Sequence, residues 1–416
     1  MSRSRTGKTI NILNLPLEGP AKHAEKSQLK GMKDIVRHLA KAKSLLTIPE
    51  IATNVKVSIP TGTKLIRELV EKKYVLEEGK RETENGRRPE LYSLNQEKFY
   101  AVGVEILLKW IHVSVVRLDG KIAHQVYNEG FILENTPECL NYITSFIGAA
   151  ISKSGLREEQ FIAIGIGLAG TINGHTGEST RYFNFMQVPL SKHLENEFKV
   201  PVLIDSDTRV IGIAEQVLGE AEGVKNALIV KVSRSLGLSI ILNNQVIFGA
   251  KGYAGEFGHL QFSKKQRLCV CGKKGCLETE VSGTALLKDL EEALTQGETS
   301  IHFQPNQPEG YRYHDIFAAA LKGDQLSIRL IIEQGDKLGQ ALGNIINLLN
   351  PDLIVIGGEY AKVKEYFIDS VRASVKKTGL VDSLTDCEIK VSSLGGDLSS
   401  KAAACMVFKN YQMTRY

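Results

Sequence analysis

His259, Cys269, Cys271 and Cys276 bring an imidazole and three thiols within eighteen residues, and this spacing constrains the chain more than any other feature. Three thiolates and one imidazole complete a tetrahedral zinc ion, and Cys3His is a common closed set. Gly272 and Gly275 allow the tight turns that return Cys276 to the same ion. Four protein ligands leave no position for water, so the expected metal is structural rather than catalytic zinc. Such a knuckle would pin its neighbours, Gly255-Glu256-Phe257-Gly258-His259 on one side and Leu277-Glu278 on the other. Six cysteines in 416 residues, half of them in this cluster, make no disulfide framework and point to a reducing compartment.

At 416 residues the chain exceeds one compact core, so two or three domains are expected. Its 43% hydrophobic and 24% charged residues exclude wholesale disorder, collagen and a coiled-coil rod. There is no apolar run near the ~20 residues of a membrane span, and the first residues lack the apolar stretch of a secretory leader. A cytoplasmic protein with no membrane partner is expected.

The charge is unevenly spread. Residues 1–95 hold 19 Lys and Arg against 11 Asp and Glu, whereas the remainder holds 33 against 36. A basic first quarter beside a mildly acidic body points to a polyanionic partner. Residues 1–26 show no periodicity and read as a flexible basic arm. From Ser27, Leu29, Met32, Ile35, Val36 and Leu39 recur at helical spacing. Thr47 with Pro49 and Glu50 starts a second helix, and Ser58 with Pro60 a third that buries Leu65, Ile66, Leu69 and Val70. Two short helices joined by a tight turn form a helix-turn-helix, whose second helix reads base edges in the major groove. Ser58, Thr61, Thr63, Lys64 and Arg67 occupy that helix's polar face. Alternating Val75–Glu78 and Leu91–Leu94 make a hairpin wing, whose tip includes Lys80, Arg81, Arg87 and Arg88. The latter two guanidinium groups suit phosphates or a minor groove. Residues 27–95 are therefore expected to be a winged helix-turn-helix domain.

Beyond Phe99, strands alternate with helices. Tyr100–Glu105, Ile111–Leu118, Phe161–Leu168, Val202–Ile204, Ala227–Val232, Leu238–Leu242 and Leu353–Ile356 read as strands, and Leu338–Leu349 as a helix. Glycines cluster at strand ends, where ligand sites of α/β folds form.

Gly252-Tyr-Ala-Gly-Glu-Phe-Gly-His259, the Cys-x-Cys-Gly-x-x-Gly-Cys-Leu-Glu run at 269–278 and Asn350-Pro351-Asp352…Gly357-Gly358 resemble the ROK family of sugar kinases and sugar-responsive repressors. The leading residues 27–95 look like the winged helix that the repressor branch carries. The resemblance implies a two-lobed, actin-like α/β body of the sugar kinase and ribonuclease H type behind that domain. Its first lobe would cover 99–218, completed by a C-terminal helix at 397–416. The second would cover 219–396 and carry the knuckle. It further implies a sugar cleft between lobes, a homodimer or homotetramer, and a DNA operator, palindromic for a symmetric dimer. Carried over by motif, the sugar-binding residues are Asn184, Ser206, Asp207, Glu256, His259 and Glu278, with Ser206 standing where the family usually has Asn.

Two departures argue against catalysis. Kinases of this family open the body with Asp-x-Gly-Gly-Thr; here Gly103-Val-Glu105-Ile-Leu107-Leu108-Lys109 takes its place. The second phosphate loop, usually Gly-Thr-Gly-x-Gly, reads Ser233-Arg234-Ser235-Leu236-Gly237. Phosphoryl transfer depends on positioning and charge neutralisation, so losing both loops abolishes it. The expected protein is a sugar-responsive DNA-binding repressor and not an enzyme. An ATP-dependent hexose kinase, and a DNA-binding protein whose body is only a dimerisation scaffold, are the alternatives. Arg234, Lys109 and Arg181 leave a phosphorylated effector open.

Overall fold

The computed structural model describes residues 11–16, 23–82, 88–263, 265–305, 310–395 and 399–414. They fall into two compact units, 1–210 with 399–416, and 211–398.

The first unit opens with α1 (His23–Lys41), α2 (Ile48–Asn54) and α3 (Ile59–Glu71), followed by strands β1 (Val75–Lys80) and β2 (Glu90–Leu94) paired antiparallel. The local chemistry sets the helix starts. Glu50 closes a capping box with Thr47, and the Ser58 hydroxyl accepts from the Thr61 amide at 3.3 Å. Ile35, Val36, Ile51, Ile66 and Leu69 are fully buried, each contributing roughly 1.5–3 kcal/mol of transfer free energy.

The body sheet of this unit uses β3 (Tyr100–Leu107), β4 (Trp110–Arg117), β5 (Ile122–Asn128), β6 (Phe161–Leu168) and, after the short hairpin β7 (Ile172–Asn173)–β8 (Glu178–Ser179), β9 (Val202–Ser206). Helices α4 (Pro137–Lys153), α5 (Leu190–Phe198) and α6 (Asp207–Leu218) alternate with the later strands. The sheet order is β5-β4-β3-β6-β9, antiparallel through the hairpins and parallel from β3 onward.

The second unit repeats that order. Its sheet is β12-β11-β10-β13-β14, built from β10 (Ala227–Val232), β11 (Leu236–Leu242), β12 (Gln245–Val246), β13 (Leu353–Gly357) and β14 (Glu388–Val391). The first three again form antiparallel hairpins, and β10, β13 and β14 run parallel. Helices α7 (Gly283–Thr295), α8 (Tyr313–Leu321), α9 (Gln325–Leu349), α10 (Lys364–Thr378) and α11 (Val381–Leu384) complete it. Two lobes of the same strand order make this an actin-like body.

The last helix, α12 (Ser399–Asn410), returns to the first unit and lies on β3 and β6. Period-2 alternation explains the two faces of that sheet: Val102, Val104 and Ile106 pack with α4, while Ala101 faces α12. At Gly103 and Gly165 the helix backbone comes so close that a Cβ would strike the Ser400 and Ala403 carbonyls.

Two sequence readings need correction. Residues 11–15 are not a flexible arm: Asn11, Ile12 and Leu13 are buried, and Ile12–Asn14 form a 3-10 turn capped by Asn11. The short segment lacks periodicity because its partners are distant in sequence, not because it lacks structure. The boundary expected after residue 218 is also displaced, since the division falls inside α6 at 210/211.

Candidate functional site

On the helix-turn-helix, Leu65, Ile66 and Leu69 turn α3 inward, leaving Thr61, Lys64 and Arg67 exposed along the opposite face. The Ser58 and Thr61 hydroxyls bond each other at 2.8 Å, and Thr63 donates back to the Ile59 carbonyl at 2.9 Å. Lys64 and Arg67 make no hydrogen bond or ion pair among the described residues, so their charges are available to a partner. Arg88 is exposed in the loop just ahead of β2; Arg87 lies outside the described residues.

Arg81 behaves differently from its wing neighbours. Its guanidinium reaches back to Glu50, with Nη1 and Nη2 donating at 2.8 and 3.0 Å. Arg81 and Thr47 together draw the Glu50 carboxyl down to about 2. Sequence reasoning missed this tie between wing and α2, because Glu50 already had a role as the third residue of a capping box.

On the second unit, the ligand atoms of His259, Cys269, Cys271 and Cys276 all lie within 4.8 Å of one another. The Cys269 sulfur is 3.5 Å from His259 Nδ1, and the Cys271 and Cys276 sulfurs are 3.6 Å apart. Ligands at 2.0–2.3 Å around a tetrahedral zinc would stand ~3.6–3.8 Å from each other, so these edges fit that ion. Gly275, with φ +75°, allows the turn, and a Cβ there would meet the Ser263 carbonyl. Burial pushes the Cys269 thiol up to about 12, so it would stand as a neutral thiol unless a cation held its thiolate.

The three sugar-binding candidates of this unit gather around the knuckle. His259 points Nδ1 at Cys269 and Nε2 at Glu256, whose carboxylate is 3.6 Å away. Glu278 accepts from the Leu236 amide at 3.2 Å, with its other oxygen 3.9 Å from the Cys269 sulfur. In the first unit, Ser206 ends β9 and accepts from the Arg209 amide at 3.3 Å, and Asp207 begins α6. Beneath them Arg209 and Asp205 form a buried ion pair, which anchors the turn. Asn184 is exposed, and both ends of its amide have protein partners: it accepts from Asn135 at 2.8 Å and donates to the Thr180 carbonyl at 3.3 Å. No sequence signal singles out Asn135.

The two departing loops are engaged within the protein. Glu105 is buried and accepts from the Trp110 indole at 2.7 Å, and Leu108-Lys109 form the two-residue turn between β3 and β4. In the second loop the Ser233 amide donates to the Ser235 carbonyl at 3.0 Å. The Gly283 amide, at the start of α7, donates to the Ser233 carbonyl at 2.7 Å. The amides of Ser233 and Leu236 and the first turn of α7 therefore all serve internal acceptors. Of the three cations considered for an effector phosphate, Lys109 and Arg234 are exposed, while Arg181 stands 5.7 Å over the Tyr182 ring.

Residues 101–409 match the ROK family. The chain is 27% identical over 352 residues to the xylose repressor of Caldicellulosiruptor bescii, covering 84% of this chain and 88% of that one. It is 29% identical over 352 residues to the DNA-binding transcriptional dual regulator NagC of Escherichia coli K12, covering 83% and 84%. Similarity to the glucokinase of Halalkalibacterium halodurans is 30% over 263 residues, 61% of this chain and 80% of that one. In fold it is similar to a crystal structure of a ROK family transcriptional regulator, a homolog of the E. coli MLC protein, with a TM-score of 0.78, 24% identity and coverage of 93% and 98%. No described helix is long and apolar enough to cross a membrane.

Proposed function

The chain belongs to the ROK family, and from that premise we propose that it is a sugar-responsive DNA-binding transcriptional repressor rather than a sugar kinase. The observation that carries this reading is the N-terminal helix-turn-helix and hairpin, whose α3 presents Lys64 and Arg67 at its exposed face. The breadth of the similarities supports it: the two regulators match over 83–84% of the chain, the glucokinase over 61%.

Thr61, Thr63, Lys64 and Arg67 face the bases, with Ser58 at the helix N-terminus near the backbone, and Arg87 and Arg88 hold phosphate or the minor groove. Ser58 and Thr63 spend their hydroxyls locally, so Lys64 and Arg67 are the stronger readers. A homodimer or homotetramer on a palindromic operator follows from the symmetry of such assemblies.

Zinc would be held by His259, Cys269, Cys271 and Cys276, where it would supply a rigid cross-link and keep the donors ionised. With Nδ1 given to the metal, Nε2, 3.6 Å from the Glu256 carboxylate, would remain to meet a sugar hydroxyl. In the first unit Ser206, Asp207 and Asn184 are the hydroxyl-binding candidates, and in the second unit Glu256, His259 and Glu278 take hydroxyls of a sugar or sugar derivative. Glu278 does so while also holding the Leu236 amide, which ties effector binding to the β10–β11 loop.

A non-catalytic reading is supported by the internal use of both loops. A phosphate would have to displace Glu278 from the Leu236 amide and the Ser233 carbonyl from the α7 N-terminus. Sugar alters DNA affinity only by its differential affinity for the free and DNA-bound states, and the effect is reciprocal. The test is operator binding by anisotropy across a panel of sugars, with ADP release assayed in parallel. One sugar is expected to weaken operator binding and to bind less tightly when operator is present, with no sugar-dependent ADP. Sugar-dependent ADP release that Asp207→Asn abolishes would establish the kinase instead.

A further inference from the structure

The segment Asn11–Leu15 faces two ways. Its side chains bond the body: Asn11 Nδ2 donates to the Lys98 and Glu159 carbonyls, each at 3.0 Å, and Asn14 Nδ2 donates to the Ile162 carbonyl at 2.6 Å. Tyr411, just past α12, donates its hydroxyl to Asn14 Oδ1 at 2.7 Å. Its main chain bonds the helix-turn-helix unit. The Ile12 amide donates to the Tyr74 hydroxyl at 3.1 Å, and Lys33 of α1 donates to the Leu13 and Leu15 carbonyls at 2.9 and 2.6 Å. Between these two sets of bonds, Ile12 and Leu13 are buried in one cluster with Ile35, Leu69, Ala163 and Val407.

The Lys33 contact gives the segment its leverage. Lys33 is buried, and among the described residues its ammonium donates to those two carbonyls alone. Burying an ammonium without such acceptors is strongly unfavourable, so losing the segment weakens the hold on α1. Burial, with Arg37 nearby, already lowers the Lys33 pKa. Arg37 adds a parallel tie, donating to the Tyr411 carbonyl at 3.2 Å.

We infer that Asn11–Leu15 is a strap whose Asn11 and Asn14 are positioning residues for DNA recognition, fixing the angle at which the body of the same unit presents α3. The inference rests on the DNA-binding reading above. With the strap in place, the recognition helix is held in one orientation and the protein selects operators by half-site separation. With it loosened, only a fraction of molecules holds the competent orientation, and apparent affinity falls by that fraction. The basic face itself is untouched, so non-specific, salt-sensitive binding stays as it was.

The experiment uses the full-length chain with Asn11→Ala and Asn14→Ala combined, and separately Lys33→Met, which keeps an apolar stem but drops the donors. Click-reactive labels at exposed Glu71 and Gln125 report the α3-to-body distance distribution by pulsed electron resonance without touching the cysteines. Both variants should broaden a distribution that is narrow in the native chain. Both should also lower operator affinity about tenfold and erase the preference against operators lengthened or shortened by one base pair. An unchanged distribution, or a broadened one with spacing preference intact, overturns the strap. If the native chain binds no operator, the DNA-binding reading fails, while the distance distribution still decides whether the segment fixes α3.

Discussion

Replacing Gly103 by alanine tests whether α12 is an integral layer of the first unit. A Cβ at Gly103 would stand 1.8 Å from the Ser400 carbonyl oxygen and 2.8 Å from the Ala404 nitrogen, whereas ordinary contact begins at 3.4 Å. Both obstacles are backbone, so no side-chain rotation relieves the clash. The helix must retreat by roughly 1.5 Å from a close-packed sheet. That retreat pulls Ser400 from its buried bonds to Ser114 at 2.6 Å and His112 at 3.2 Å. Overpacking costs about 1–3 kcal/mol, and orphaning the buried hydroxyls about 1–3 kcal/mol more. A loss of ~2–6 kcal/mol lowers the melting temperature of a unit this size by roughly 10 °C. Differential scanning calorimetry of the full chain should show that fall in one transition, leaving the second unit's transition as an internal reference. A shift under ~2 °C would refute the claim that the helix backbone abuts β3.

Three further outcomes follow from the sites. Chelation, or Cys276→Ser, should release close to one zinc ion per chain in a colorimetric metal assay and lower the second unit's melting temperature; no bound zinc in freshly purified protein would contradict the assignment. Lys64→Ala and Arg67→Ala should each cost operator binding about 1–3 kcal/mol and relax base preference, while Arg88→Ala should weaken all sequences alike and flatten the salt slope by ~0.9 for each phosphate left unneutralised. The Glu50 carboxyl is lowered from 4.5 to about 2 by Arg81 and Thr47, so its clamp is complete above pH 4.5 and is lost as pH falls through about 2. Amide exchange in β1 and β2 should therefore be unaffected by this group between pH 5 and 8, and Glu50→Gln should speed it across that whole range.

What could be read from the sequence was local. The helix starts at Thr47 and Ser58 follow from caps three residues wide, and β6 and β10 have the bounds their apolar runs suggest. The cluster of His259, Cys269, Cys271 and Cys276 was legible because its donors are sequence neighbours. The start of α1 was not, because its opening turns carry no apolar stripe; α9 begins at Gln325, where Asp324 caps it and Leu326, Leu330 and Ile331 already form a buried face that a helix read from Leu338 leaves out. Long-range polar contacts left no trace. Asn11 and Asn14 find their partners 87 to 397 positions away, Glu278 meets an amide 42 positions back, and Arg81 turns from the wing to a residue 31 positions earlier. Nothing in their own neighbourhoods specifies those partners.

Whether α3 reads a DNA sequence is tested most directly by selection from a random DNA pool at near-physiological salt. An enriched palindrome is expected, one that survives as salt rises and is lost with Arg67→Ala. Retention without enrichment, vanishing as salt increases, would contradict sequence reading by α3 and leave the helix-turn-helix as a generic basic module.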